Sequence, residues 1–299
     1  MNILKPKKTL VLITTISAVL IVYCLNPSLV SAAFFRIWET RGVPEEYGGS
    51  VIHGAYQKVA TYGGFIYVAT DGVSRGVSVS VLDGGTGQPV SPNGVPIQKF
   101  FPGIEISDMK FDSSGNLYII GGDVGAHTTV YKTDPDLNVI TSSVLSSTYL
   151  WDAHLEVFDD VIDLAGTNLD YNGTLLSLRP SDLSIISGPF IDSGNANGEH
   201  QILSIGKTGQ LGGVESIFVL NSTDIFEVRN ANNFSLVASM NIPGFVTGQQ
   251  YYRTAFYDGS YIFLIYLNGA QTPYYEIRRI DLNSGTSCSA AGSLFIRIP

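Results

Sequence analysis

From about residue 51 onward the chain alternates short apolar runs with polar, glycine-rich interruptions. Four stretches share one layout: "TYGGFIYVA" at 61–69, "KFDSSGNLYII" at 110–120, "VFDDVIDLA" at 157–165 and "FYDGSYIFL" at 256–264. Each reads as the end of one strand, a tight turn, and a second strand rich in Ile, Val, Tyr and Phe. A third strand then runs into a polar turn: "VLDGGTGQPV", "KTDPDLNVI", "SLRPSDLSII", "EVRNANNFSLV" and "RIDLNSGT". The anchors of these turns, Asp83, Asp134, Arg179, Arg229 and Asp281, recur roughly every 50 residues, a period that with four strands per unit predicts propeller blades. Helical periodicity is absent after the N-terminal segment. The expected fold class is therefore all-β: a β-propeller over residues 51–299, built from five four-stranded blades with six as the alternative count. The blades begin near Val51, Gly103, Tyr149, Glu199 and Gln249. A two-sheet sandwich is the runner-up, and the recurring unit argues against it.

The N-terminus follows a different pattern. Lys5, Lys7 and Lys8 precede an apolar run over 9–24. Asn26 and Pro27 break that run, and Val30-Ser31-Ala32-Ala33 offers small residues for cleavage. Residues 1–33 read as a signal peptide, with an uncleaved signal anchor as the alternative. This places the protein outside the cell, secreted or on the cell surface. Residues 34–50 read as a strand, Phe34-Phe35-Arg36-Ile37-Trp38, followed by the linker "GVPEEYG". Leaving four large apolar side chains in water is unfavourable by about 1.5–3 kcal/mol each. The strand is expected to pair with the last blade, near residues 294–298, or to link copies by self-assembly.

Composition narrows the partners. The net charge is −9 and becomes more negative once the signal lysines leave. Such a surface repels phosphate backbones, so no nucleic acid partner is expected. Charged residues are 14% of the chain, against about 25% in ordinary soluble domains. Cys24 leaves with the signal peptide and Cys288 stands alone, so the mature chain has no internal disulfide. Sequons at Asn172, Asn221 and Asn233 are candidate glycosylation sites.

The stretch "ISDMKFDSSGNLYI" at 106–119 resembles the repeats of NHL-like and related secreted propellers. The resemblance implies a propeller that binds partners on one face and nothing narrower.

Several motifs bear on chemistry. Gly72-Val73-Ser74-Arg75-Gly76 matches G-x-S-x-G, but a nucleophile elbow needs a strand–turn–helix. Here the motif falls at a predicted hairpin tip. Asp134-Pro135-Asp136-Leu137-Asn138 opens like a calcium loop, yet Val139 and Leu145 stand where glycine and a bidentate glutamate belong. An Asx-rich turn explains it instead. His53, His127, His154 and His200 show no paired metal-ligand spacing. No metal and no cofactor is predicted.

Aligning the blades places Lys58, Asp108, His154 and Arg253 at equivalent points on innermost strands, with His53, Asp152, Glu199 and His200 a few residues away. Ionisable groups converging on a channel mark a candidate binding ring, here Lys58, Asp108, His154, His200 and Arg253. Two function classes follow. One is a non-catalytic extracellular protein (an adhesin, a surface-layer component or a filament subunit) that binds an extracellular protein or glycan. The other is a five-bladed glycoside hydrolase using Asp108, Asp152 and Glu199, in which the carboxyl spacing sets the stereochemistry.

Overall fold

The structure is a computed structural model that describes residues 57–298, apart from 73–75, 123–126, 146–148, 171, 193–201, 212–213, 222–224, 242–253, 258–260, 269–273 and 282–292. Residues 1–33, read as a signal peptide, residues 34–50, read as a strand and linker, and His53 lie outside the described residues.

The described residues form five four-stranded antiparallel sheets, each laid down in chain order. The first comprises β1 (Gln57–Tyr62), β2 (Phe65–Gly72), β3 (Gly76–Asp83) and β4 (Gln98–Pro102). The second comprises β5 (Glu105–Phe111), β6 (Leu117–Gly122), β7 (Thr128–Thr133) and β8 (Val139–Leu145). The third is β9 (Trp151–Val157), β10 (Ile162–Thr167), β11 (Gly173–Leu178) and β12 (Ile185–Asp192). The fourth is β13 (Ile202–Leu211), β14 (Val214–Asn221), β15 (Ile225–Asn230) and β16 (Leu236–Asn241). The fifth is β17 (Thr254–Tyr257), β18 (Tyr261–Asn268), β19 (Tyr274–Asp281) and β20 (Ser293–Ile298). Innermost strands follow one another, with β1 against β5, β5 against β9, β9 against β13 and β13 against β17. This is an all-β propeller-type fold.

Turn chemistry explains the hairpins. Gly63 and Gly64 both take positive φ, 58° and 87°, between the paired residues Tyr62 and Phe65. A two-residue turn with both φ positive matches the twist of its strands, and glycine adopts it without strain. In the second sheet Asp112 replaces that device. Its Oδ1 accepts the Ser114 and Asn116 N–H groups at 3.0 and 2.8 Å.

The third-strand turns carry the recurring signature. Leu137, Leu183 and Phe234 hold φ of 62°, 58° and 57° and are buried. Their N–H groups donate back to the carbonyls of Asp134, Arg179 and Asn230. Gly87 occupies the same place in the first sheet, donating to Asp83. A branched or aromatic residue in the left-handed region is costly by about 1–2 kcal/mol, and burying the side chain under the sheet offsets it. The equivalent anchor in the fourth sheet is Asn230, not Arg229. Asn230 ends β15 and closes the turn, its N–H donating to the Ser235 carbonyl, whereas Arg229 lies one residue earlier, opposite Ile217. The loop with calcium-like spacing is an Asx turn, as expected: Asp134 accepts the Asn138 N–H and Nδ2, both at 2.8 Å.

Apolar clusters seal successive sheets. Tyr67, Ala69, Val77, Val79 and Val81 of the first sheet meet Met109, Leu117 and Ile119 of the second. Tyr118, Ile120 and Val130 meet Leu155, Ile162, Leu164 and Leu176 of the third. Ala165 and Leu175 meet Ile205, Ile217 and Val219 of the fourth. Alternate residues of each second strand thus face opposite neighbours, as the pleat requires.

Candidate functional site

Lys58, Asp108 and His154 occupy one register position on three adjacent innermost strands. They lie opposite Ala69, Ile120 and Ala165 respectively. Each of those partners faces the next sheet in the chain. Of the other ring candidates, His200, Arg253 and Glu199 lie outside the described residues, and Asp152 is placed only as part of the β9 backbone.

Asp108 is committed to the architecture. Its Oδ1 accepts the Met109 N–H at 2.9 Å, and its Oδ2 accepts the Leu155 N–H of the third sheet at 3.1 Å. A carboxylate accepting two backbone donors brackets the inner edges of two sheets. Two residues along, Lys110 Nζ reaches Glu156 Oε2 on β9 at 2.6 Å. Burial acts against the Lys110 charge, but Glu156 and Asp108 outweigh it and hold the pKa above its ordinary value. The edge that carries Asp108 and Lys110 in the second sheet therefore meets Leu155 and Glu156 in the third.

One step outward lies a group that the sequence reading did not single out. Asp163 on β10 is wholly buried. It stands opposite Glu156 on one side and Ser177 on the other. Ser177 Oγ donates to its Oδ1 at 2.7 Å, whereas Oδ2 has no partner among the described residues. Burial raises the Asp163 pKa from 3.8 to about 7; the Ser177 bond opposes the shift, and Glu156, Asp160 and Glu215 add to it. The equivalent residues in the first and second sheets are Tyr67 and Tyr118, opposite Ala60 and Lys110. In the fourth it is Phe218, opposite Gly206; a Cβ on Gly206 would stand 2.5 Å from the Phe218 ring. Three aromatic residues and one carboxylate thus share a place. The signal was present in "VFDDVIDLA", but it appears only once the strands are paired in register.

At this position in the first sheet, and beside it in the second, a side-chain donor joins sheets. Tyr67 Oη donates to the Pro135 carbonyl of the second sheet at 2.8 Å. Burial raises its pKa to about 12, with Asp136 and Asp134 adding to the effect. Lys132, beside Tyr118, donates to the Pro180 carbonyl of the third sheet at 3.0 Å. The corresponding turn residue in the fourth sheet is Ala231, whose N–H donates to the Glu215 carbonyl.

The G-x-S-x-G motif joins two strands, with Gly72 paired to Gly76 across the β2–β3 connection. No helix follows, so the strand–turn–helix of a nucleophile elbow is not formed there.

The fold and register define a β-propeller. No protein-family model matches the chain, and no curated protein matches it in sequence. Among solved structures it is similar to a protein of unknown function from Bacteroides caccae, at 11% identity and a TM-score of 0.50, covering 81% of this chain and 80% of that one. It is also similar to the quinohemoprotein alcohol dehydrogenase of Comamonas testosteroni, at 9% identity and a TM-score of 0.48, covering 80% of this chain. A third is KlHsv2 with loop 6CD replaced by a Gly-Ser linker, at 10% identity and a TM-score of 0.47, covering 76% of this chain. The chain spans 52% of the dehydrogenase and 66% of KlHsv2. At these identities the likeness is one of fold and carries no activity with it.

Proposed function

We propose that the protein is a non-catalytic binding or assembly module, secreted or held at the cell surface as an adhesin, surface-layer component or filament subunit. The observation that carries this reading is the use made of Asp108, the one candidate acid whose side chain is described. Asp108 spends both oxygens on backbone N–H groups of two sheets, and Glu156 is paired with Lys110. A general base or nucleophile has to be held where substrate reaches it, and Asp108 is held instead between two sheets by a backbone donor from each. The proposed partner is an extracellular protein or glycan. Self-association through Phe34-Phe35-Arg36-Ile37-Trp38, the NHL-like relationship, and glycans at Asn172, Asn221 or Asn233 belong to the same proposal.

Two measurements test it. The protein is fractionated from its native cells, and the purified chain is incubated with a broad panel of extracellular glycans. Recovery outside the cytoplasm, with binding but no turnover, is the expected result. Hydrolysis of any glycan that is lost in Asp108→Asn would replace this reading with the glycoside hydrolase.

A further inference from the structure

The seam between the third and fourth sheets differs in kind from the two before it. In the first two seams a side-chain donor reaches a proline carbonyl of the next sheet, Tyr67 to Pro135 and Lys132 to Pro180. In the third sheet the same register holds Asp163 and Ser177, and the turn residue of the fourth sheet is Ala231. An acceptor stands where its equivalents are a donor or an apolar ring, and its Oδ2 is buried without a partner among the described residues.

None of the described charged groups around Asp163 neutralises it. On its own sheet it faces Glu156, which is held by Lys110, and Asp160 lies in the preceding turn beside Asp159. His154 is two residues from Glu156 on the same face of β9. From the fourth sheet come Lys207 on β13, Glu215 on β14, and Glu227 and Arg229 on β15. The Lys207 ammonium lies 4.2 Å from the centre of the Phe158 ring. Arg229 is bound to Glu227 at 2.8 Å and to the Phe234 carbonyl at 2.8 Å, and it stacks on Phe190 of β12. Lys207 and Arg229, the described cations of the fourth sheet on this face, are therefore already engaged by other groups.

A buried carboxylic acid is tolerable when neutral, and a buried carboxylate without a counter-ion is not. We propose that the seam between the third and fourth sheets is a proton-controlled latch, packed while Asp163 is neutral and forced to admit water when Asp163 ionises. The neutral acid keeps the Ser177 bond and needs no cation. The ionised form must hydrate, or must draw Lys207 or Arg229 from its present partner. Either way β10 separates from the fourth sheet before the rest of the molecule responds.

The test is hydrogen exchange on the full chain, corrected for intrinsic exchange, at pH values from about 5 to about 8. Because the closed form holds its proton to about pH 7, protection of β10 and β13 amides is expected to fall about tenfold per pH unit up to that point, about a hundredfold in all between pH 5 and 7. Amides of β2 and β3 should not follow. In Asp163→Asn the fall should vanish. Ser177→Ala removes the bond that opposes protonation, so the end of the fall should move to higher pH. A flat wild-type profile, an equal fall in β2 and β3, or an equal fall in Asp163→Asn overturns the latch. So does a Ser177→Ala profile that ends at the same or a lower pH, and this variant decides the matter if Asp163→Asn does not fold.

Discussion

Asp163 shows how one side chain sets a pH dependence. Its pKa is raised in the folded state, from 3.8 to about 7, so the folded chain holds a proton that the unfolded chain releases. The stabilisation from this proton is complete below about pH 4, declines as pH rises toward 7, and is gone above it, at about 1.4 kcal/mol per unit. Asp163→Asn keeps the shape and removes the titration. It is expected to leave stability near pH 4 almost unchanged and to raise it by about 2–4 kcal/mol at pH 8, read by denaturant unfolding at both pH values. Lower stability of the variant at pH 8 would mean that the carboxylate has a partner. Tyr67 shows the opposite economy: its buried hydroxyl has an acceptor in Pro135. Tyr67→Phe should lower stability by about 1 kcal/mol, measured in the same way.

At the scale of elements, the innermost strands repeat one position with different surroundings. Met109, Leu155 and Ile205 lie opposite Ile119, Leu164 and Val219 and are 2%, 0% and 4% exposed. Val59 holds the same register, opposite Val68, and is 58% exposed. The first three face a preceding sheet that seals them. Truncation should report the difference. Leu155→Ala is expected to be destabilising by about 2–5 kcal/mol, and Val59→Ala by less than about 1 kcal/mol. Equal costs in thermal or denaturant unfolding would mean that the first sheet is sealed at Val59 as well.

At the scale of the whole molecule, each sheet leans on its neighbours in chain order through the innermost strands. Damage to one seam should therefore stay local at first. Asp108→Ala removes the acceptor for the buried Leu155 N–H, a loss of about 1–3 kcal/mol. Exchange should rise first at Met109 and Leu155, while the amides of β14 and β15 stay protected. A uniform rise across all sheets would show that the seams open as one. The same variant bears on function, since a structural Asp108 predicts weakened packing with no lost turnover.

The alternation of apolar and polar residues and the spacing of the turns were enough to determine strands, hairpins and a recurring four-stranded unit. Strand period and turn chemistry are local properties, written in runs such as "FIYVA" and "DPDLN". The common register of Lys58, Asp108 and His154 was legible for the same reason, because each sits at a similar distance before its hairpin. What those side chains touch was not legible. That Asp108 brackets two sheets, that Lys110 holds Glu156, and that Asp163 is buried opposite Ser177 depend on contacts across 46 or 47 residues in the first two cases and 14 in the third. A β-bulge shifts the pairing between Ile106 and Asp108, and one such shift changes which residues face each other. Only the assembled sheets decide whether a carboxylate meets a donor, a cation or an apolar wall, because that depends on residues supplied by the next unit of the repeat.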